Sequence, residues 1–147
     1  MEIERKFLIK ELPDLTGIKC STIKQGYFSI FPEKRVRCLD GKYFITEKGE
    51  GDMVREETEW EIGKEEAEKL FALSKTYIIE KKRYYLPYGL YTVELDVYQG
   101  RHCGLIVAEV EFRNEDDAHA FVPPCWFGED ITADKSYKNM MLALNKG

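Results

Sequence analysis

The sequence predicts an α+β protein built on a closed eight-stranded antiparallel β-barrel, with a charged lumen and helices packed on the outside. Three observations point there. About eight segments alternate residue types with the period of two that sends successive side chains to opposite faces of a strand. Gly, Pro and Asp-Gly punctuation separates them at hairpin spacing. Nearly every strand has ions on one face and Ile, Val, Phe or Trp on the other. About eight such strands close into one small barrel, which removes exposed edges. The apolar faces then need cover, and two segments of helical period have matching apolar stripes. The expectation is therefore an inverted barrel, its apolar wall outside beneath helices and its ionic wall inside.

The first strand, residues 1–9, sets the pattern. Glu2, Glu4, Lys6 and Leu8 share one face; Ile3, Arg5, Phe7 and Ile9 share the other. Two glutamates one strand repeat apart can grip one hard cation or hold two neighbouring ones. After a loop through Pro13 and Gly17, residues 21–30 form a second strand, with Ile23, Gln25, Tyr27 and Ser29 together. Residues 35–39 and 43–48 flank Asp40-Gly41, which favours a tight hairpin that puts Arg35 with Arg37, and Thr46 with Lys48, on paired strands. Residues 54–62 read as one strand carrying Arg55, Glu57, Glu59 and Glu61 on one face. A helix spans residues 64–75, with Ala67, Leu70, Phe71 and Ser74 as its stripe. Residues 76–86 place Lys81 and Arg83 together; residues 90–98 pair Glu94 with Asp96; residues 105–112 carry Glu109 and Glu111. A short helix over 115–121 stops at Pro123-Pro124, and a last helix over 133–145 is capped by Asp134 or Ser136. Met140 and Met141 read as its packing side chains.

Length and composition fit a single domain over residues 1–147. The chain has 147 residues, 44% hydrophobic and 33% charged, and lacks an apolar run long enough to span a bilayer. No secretory pattern opens it, so a cytoplasmic location is expected. Cys20, Cys38, Cys103 and Cys125 are scattered without a C-x-x-C pair, which argues for free thiols and against a zinc site. A net charge of −5 excludes general affinity for nucleic acid. His102 and His119 have no evident acid–base partner. A monomer or a homodimer is compatible with the chain.

The charged lumen implies a ligand. Its bases are Lys6, Arg35, Arg37, Lys48, Arg55, Lys81 and Arg83; its acids are Glu2, Glu4, Glu57, Glu59, Glu61, Glu94, Asp96, Glu109 and Glu111. Acids outnumber bases, so a compact polyanion is repelled until divalent cations reverse the balance. Oxygen ligands without His or Cys point to Mg²⁺ or Mn²⁺ over zinc, and two ions suit the charge.

These residues carry a family resemblance. The chain resembles the CYTH superfamily of triphosphate tunnel metalloenzymes along almost its whole length. The matches are Glu2-x-Glu4-x-Lys6, Gln25-Gly26-Tyr27, Arg35 with Arg37, Thr46 with Lys48, Arg55-x-Glu57-x-Glu59, Lys81 with Arg83, Asp96, Glu109-Val110-Glu111, and Ile131-Thr132 before Tyr137 and Asn139. Ser136 departs from it, standing where the pattern has arginine before the tyrosine, with Lys135 the candidate substitute. The resemblance implies metal-dependent hydrolysis of a linear triphosphate, either tripolyphosphate or a nucleoside triphosphate, in a barrel tunnel. It implies Glu2, Glu4, Lys6 and Glu111 as catalytic residues, the three glutamates holding metal, with Glu57, Glu59, Asp96 and Glu109 as further ligands or supports. Lys6, Arg35, Arg37, Lys48, Arg55, Lys81, Arg83, Tyr27 and Lys135 would bind phosphate. Two alternatives stay open: a class IV-type adenylyl cyclase, and a non-catalytic polyphosphate-binding module.

Overall fold

A computed structural model describes residues 1–144 of the chain. Alternation at strand period becomes ten strands: β1 (Glu2–Ile9), β2 (Cys20–Ser29), β3 (Glu33–Leu39), β4 (Lys42–Lys48), β5 (Val54–Arg55), β6 (Glu57–Ile62), β7 (Ile79–Tyr88), β8 (Tyr91–Gln99), β9 (Ile106–Glu111) and β10 (Phe127–Asp130). Three helices accompany them: α1 (Lys64–Ala72), α2 (Glu115–Ala120) and α3 (Asn139–Leu144). The Asp40-Gly41 turn forms as expected, with φ of 49° and 83°, the left-handed pair that matches the twist of β3 and β4. None of the helices among the described residues is long and apolar enough to cross a membrane.

The sheet corrects the predicted fold. It has ten strands, in the order β10-β1-β9-β8-β7-β2-β3-β4-β6, and it does not close into an eight-stranded barrel. Its end strands β10 and β6 are not neighbours. The physical reason lies at Glu56. Residues 54–62 alternate as one strand, yet Val54 and Arg55 pair with β1, whereas Glu57–Ile62 pairs with β4. Among the described residues, strand pairing on that side reaches β1 through a two-residue ladder alone, Glu2↔Arg55 and Ile3↔Val54. β10, absent from the sequence expectation, pairs instead with the far half of β1 through Phe7↔Asp130 and Ile9↔Phe127.

The apolar backs lie under α1 and α2. Phe7, Leu95, Val110, Phe112 and Phe127 form one core with Ala118 and Phe121 at α2. Arg5, the one ion on that face of β1, donates to the carbonyls of Ala118 (2.9 Å) and Phe121 (3.2 Å) and pairs with Asp130. It thereby satisfies carbonyls at the C-terminal end of α2. A second core lies on the ionic face of the strands, below the charged residues, and gathers Tyr27, Ile79, Tyr98, Val107 and Ile131 against Leu142 and Ala143 of α3, so this helix closes the inner side instead of covering the outer wall as expected. α1 packs over β2, β3 and β4. Gly26 permits the close approach that follows it, since a Cβ there would stand 2.9 Å from both Ile78 Cδ1 and Ser74 Oγ. The helix expected over 133–145 is broken: Lys135–Tyr137 is a 3-10 turn capped by Asp134, and only Asn139–Leu144 is α-helical, residue 145 lying outside the described residues. Cys20, Cys38, Cys103 and Cys125 are free thiols.

Candidate active site

The ionic faces enclose one cavity of about 210 Å³. Strand register places them. Glu4 stands opposite Glu111 and Lys6 opposite Glu109 across β1 and β9, while Glu94 faces Glu109 across β8 and β9. Of the residues singled out from sequence, Glu2, Glu4, Lys6, Tyr27, Arg35, Arg37, Lys48, Arg55, Glu57, Glu59, Arg83, Glu109 and Glu111 line the cavity, together with Glu94.

Three predicted site residues are not on its wall. Lys81 and Asp96 point inward from β7 and β8 but lie wholly buried beneath it, bonded to each other at 2.7 Å. Asp96 also accepts from Arg83 Nε (2.8 Å) and Nη2 (2.9 Å), so its carboxylate is spent on holding two cations and is no metal ligand as placed. Lys135 is exposed on the 3-10 turn, and Lys138 occupies the cavity wall instead. Glu61, expected in the lumen, is exposed as well. Sequence reasoning also missed Glu33, Asn139 and Met140. Glu33 begins β3 on the same face as Arg35 and was readable from alternation; the other two come from a segment with no strand period.

Ion pairing is uneven around the wall. Lys48 meets Glu2 at 3.0 Å, Lys6 meets Glu109 at 3.4 Å, Arg55 meets Glu33 at 2.9 Å, and Arg83 reaches Glu94 at 3.0 Å. Among the described residues, no carboxylate lies within salt-bridge distance of Arg35 or Arg37, and the Nε of Arg35 is buried without a partner. Arg37 donates its Nε–H to Gln25 Oε1 (3.0 Å), and the Gln25 amide Nε2 donates to the Tyr27 hydroxyl. Burial, with Arg35 and Arg83 nearby, lowers the Arg37 pKa to about 10. Buried guanidinium groups left without an acid are an anion site.

The acids show the converse crowding. Burial first, then Glu109, pushes Glu4 up to about 8. Burial and a hydrogen bond with Glu2 raise Glu57 to about 7, and burial and Glu2 raise Glu111. Burial opposes charge at Glu2 too, but Lys48 and Glu57 hold it below its ordinary value. Lys6 is raised, because Glu109 and Glu4 outweigh its burial, and stays charged.

No family model matches the chain. It is 43% identical over 149 residues to the inorganic triphosphatase of Nitrosomonas europaea, covering 98% of this chain and 97% of that protein. The chain belongs to the inorganic triphosphatase family, within the CYTH superfamily. A second member of the triphosphatase family, from Acetivibrio thermocellus, is 34% identical over 148 residues, 98% of this chain and 94% of its own. A crystal structure of an inorganic triphosphatase superimposes with a TM-score of 0.74 at 38% identity, covering 99% of this chain and 95% of that one.

The donor set of this triphosphatase-family cavity fits a hard divalent cation. Glu2, Glu4, Glu57, Glu59, Glu109 and Glu111 offer oxygen alone, and burial first, then neighbouring carboxyls, lifts Glu4 to about 8 and Glu57 to about 7, a cost that a bound cation would offset. Among the described residues, no three acid, imidazole or thiol groups are arranged as a ready metal site, and Glu2 and Glu109 are each paired with a lysine. A stability signature follows. A carboxyl whose folded pKa is raised contributes stability that is full below its unfolded value, near 4.5, and lost as pH rises to the folded value. Through Glu4 and Glu57, the metal-free protein should therefore lose stability as pH rises from about 4.5 toward about 7 to 8. Saturating Mg²⁺ should abolish that decline. Melting temperature against pH, with and without Mg²⁺, is the measurement, and an unchanged slope would remove the carboxylates from cation binding.

Proposed function

We propose that this chain hydrolyses a linear inorganic triphosphate in the cavity, with Mg²⁺ or Mn²⁺, two ions, held by Glu2, Glu4 and Glu111 and supported by Glu57, Glu59 and Glu109. One observation carries the reading. Among the described residues, a single small cavity contains Arg35 and Arg37 with no acid at salt-bridge distance and Glu4, Glu57 and Glu111 with no base at that distance, which a metal–polyphosphate complex would satisfy together. Its lining includes eight acids and seven bases, so one divalent ion already makes the wall net positive. Its volume of about 210 Å³ falls below the roughly 300–1,000 Å³ of pockets that enclose drug-sized ligands. That favours tripolyphosphate over a nucleotide held whole.

Phosphoryl transfer asks a protein chiefly for positioning and charge stabilisation. Arg35 and Arg37 bind oxygens of the bound chain, Arg37 being oriented by Gln25. Lys6, Lys48, Arg55 and Arg83 exchange a carboxylate for phosphate, Lys138 adds a further cation, and Tyr27 offers a hydroxyl. A bound metal supplies charge neutralisation and Lewis-acid polarisation of the attacking water. Orthophosphate release is to be measured from tripolyphosphate, ATP, thiamine triphosphate and pyrophosphate, with Mg²⁺ and with Mn²⁺. Tripolyphosphate should be the best substrate, and EDTA should stop the reaction. Cyclic AMP from ATP would replace this reading by a cyclase, and saturable binding without turnover would replace it by a binding module.

A further inference from the structure

The two ends of the cavity differ in kind. At one, Glu94 and Glu111 line both the cavity and an outer recess of about 790 Å³, so the cavity opens there. At the other, Lys138, Asn139 and Met140 cross it. That crossing segment is fixed from several sides. The Tyr98 hydroxyl bonds Asn139 Oδ1 at 2.5 Å, His102 Nε2 meets the Leu142 carbonyl at 2.7 Å, and Tyr77 donates its backbone N–H to Ala143 at 2.9 Å.

Met140 is the one aliphatic side chain among the described residues that line the cavity. It packs on the core that contains Tyr27, Ile79 and Leu142, so its outer side is held while its inner side faces the polyanion space. A thioether donates no hydrogen bond and is a weak acceptor, so a phosphate oxygen gains nothing by approaching it. We propose that Met140 is a chain-length stop, a specificity-determining residue that limits the cavity to three phosphates. The inference rests on the tripolyphosphate reading. At the opposite end a fourth phosphate would have to pass Glu94, which Arg83 already holds at 3.0 Å, into a recess lined mainly by Tyr85, Leu90, Tyr91, Thr92 and Phe112. Arg113, the one Lys or Arg side chain of that recess among the described residues, is exposed and stands 3.7 Å from Asp117.

Shortening the stop should lengthen the cavity at this end, beside Asn139 and Lys138, which already line it. The test compares wild type, Met140→Ala and Met140→Leu for kcat/KM and calorimetric Kd on tripolyphosphate and tetrapolyphosphate at one Mg²⁺ concentration. Wild type and the Leu variant should discriminate against tetrapolyphosphate, and the Ala variant should raise the tetra-to-tri ratio at least tenfold. An unchanged ratio in a folded Ala variant, or a wild type indifferent to chain length, overturns the proposal. If Met140→Ala does not fold, Met140→Val gives the same comparison. A protein that binds both chains without hydrolysing them defeats the hydrolase reading alone, since the Kd ratio still decides the stop.

Discussion

Glu4→Gln is expected to lower turnover of tripolyphosphate by ~10³-fold or more, about 4 kcal/mol of barrier, while the metal-free protein becomes more stable. The opposed signs follow from one cause. Glu4 is buried beside Glu109 and Glu2, directly across from Glu111, so burial first and the neighbouring acids second make its charge costly and raise its pKa to about 8. Glutamine keeps the shape and removes the charge, relieving repulsion when the site has no metal and removing an anionic ligand when it needs one. Turnover, Mg²⁺ affinity by calorimetry and metal-free melting temperature at about pH 8 should move together. A variant that keeps turnover within tenfold and binds Mg²⁺ normally would place the metal elsewhere. One that loses both activity and stability would make Glu4 a structural residue.

Alternation in the sequence predicted which side chains face inward, and for most of the wall that was enough. Inward-facing is a statement about one strand, however, and lining a cavity is a statement about position along it. Lys81 and Arg83 are two residues apart on the same face, yet Arg83 reaches the cavity while Lys81 stops beneath it, with its ammonium 5.3 Å from the Tyr98 ring. The level at which the apolar core seals the cavity depends on Tyr27, Tyr98 and α3 meeting across long sequence separations. Alternation within β7 carries no trace of that.

Closure failed for a related reason. Eight regular strands imply a barrel by edge removal, but β5 and β10 have two and four residues, too few for a period to show. The shift of residues 54–62 from one neighbour to another happens inside a segment whose alternation never breaks. Lys135 was misplaced because a 3-10 turn, unlike the helix expected there, sends Lys135 outward and brings Lys138 to the wall, where it donates to the Gly51 carbonyl at 2.7 Å.

Asp96→Asn is expected to be the most destabilising conservative change, by roughly 3–5 kcal/mol, although Asp96 touches no cavity space. Its carboxylate is fully buried and is the shared partner of Lys81 and Arg83, whose side chains are 0% and 9% exposed. Neutralising it strands two buried cations at once. For a domain of this size, that loss should lower the melting temperature by roughly 10 °C or more. The two cations should then behave differently. Burial already pulls Lys81 down to about 7 against the attraction of Asp96, so without that carboxylate it sheds its proton below neutrality and escapes part of the penalty. Arg83 cannot deprotonate and falls back on Glu94 and Glu109, at 3.0 and 3.8 Å. A lysine whose folded pKa is depressed makes folding less favourable while it is charged, so the deficit of the variant should be larger near pH 5.5 than near pH 8. Denaturant melts of both proteins at those two pH values measure it. A deficit that is small, or that does not shrink as pH rises, would mean that water or a rearranged neighbour replaces Asp96, and that the ionic layer under the cavity is not what fixes Arg83 in place.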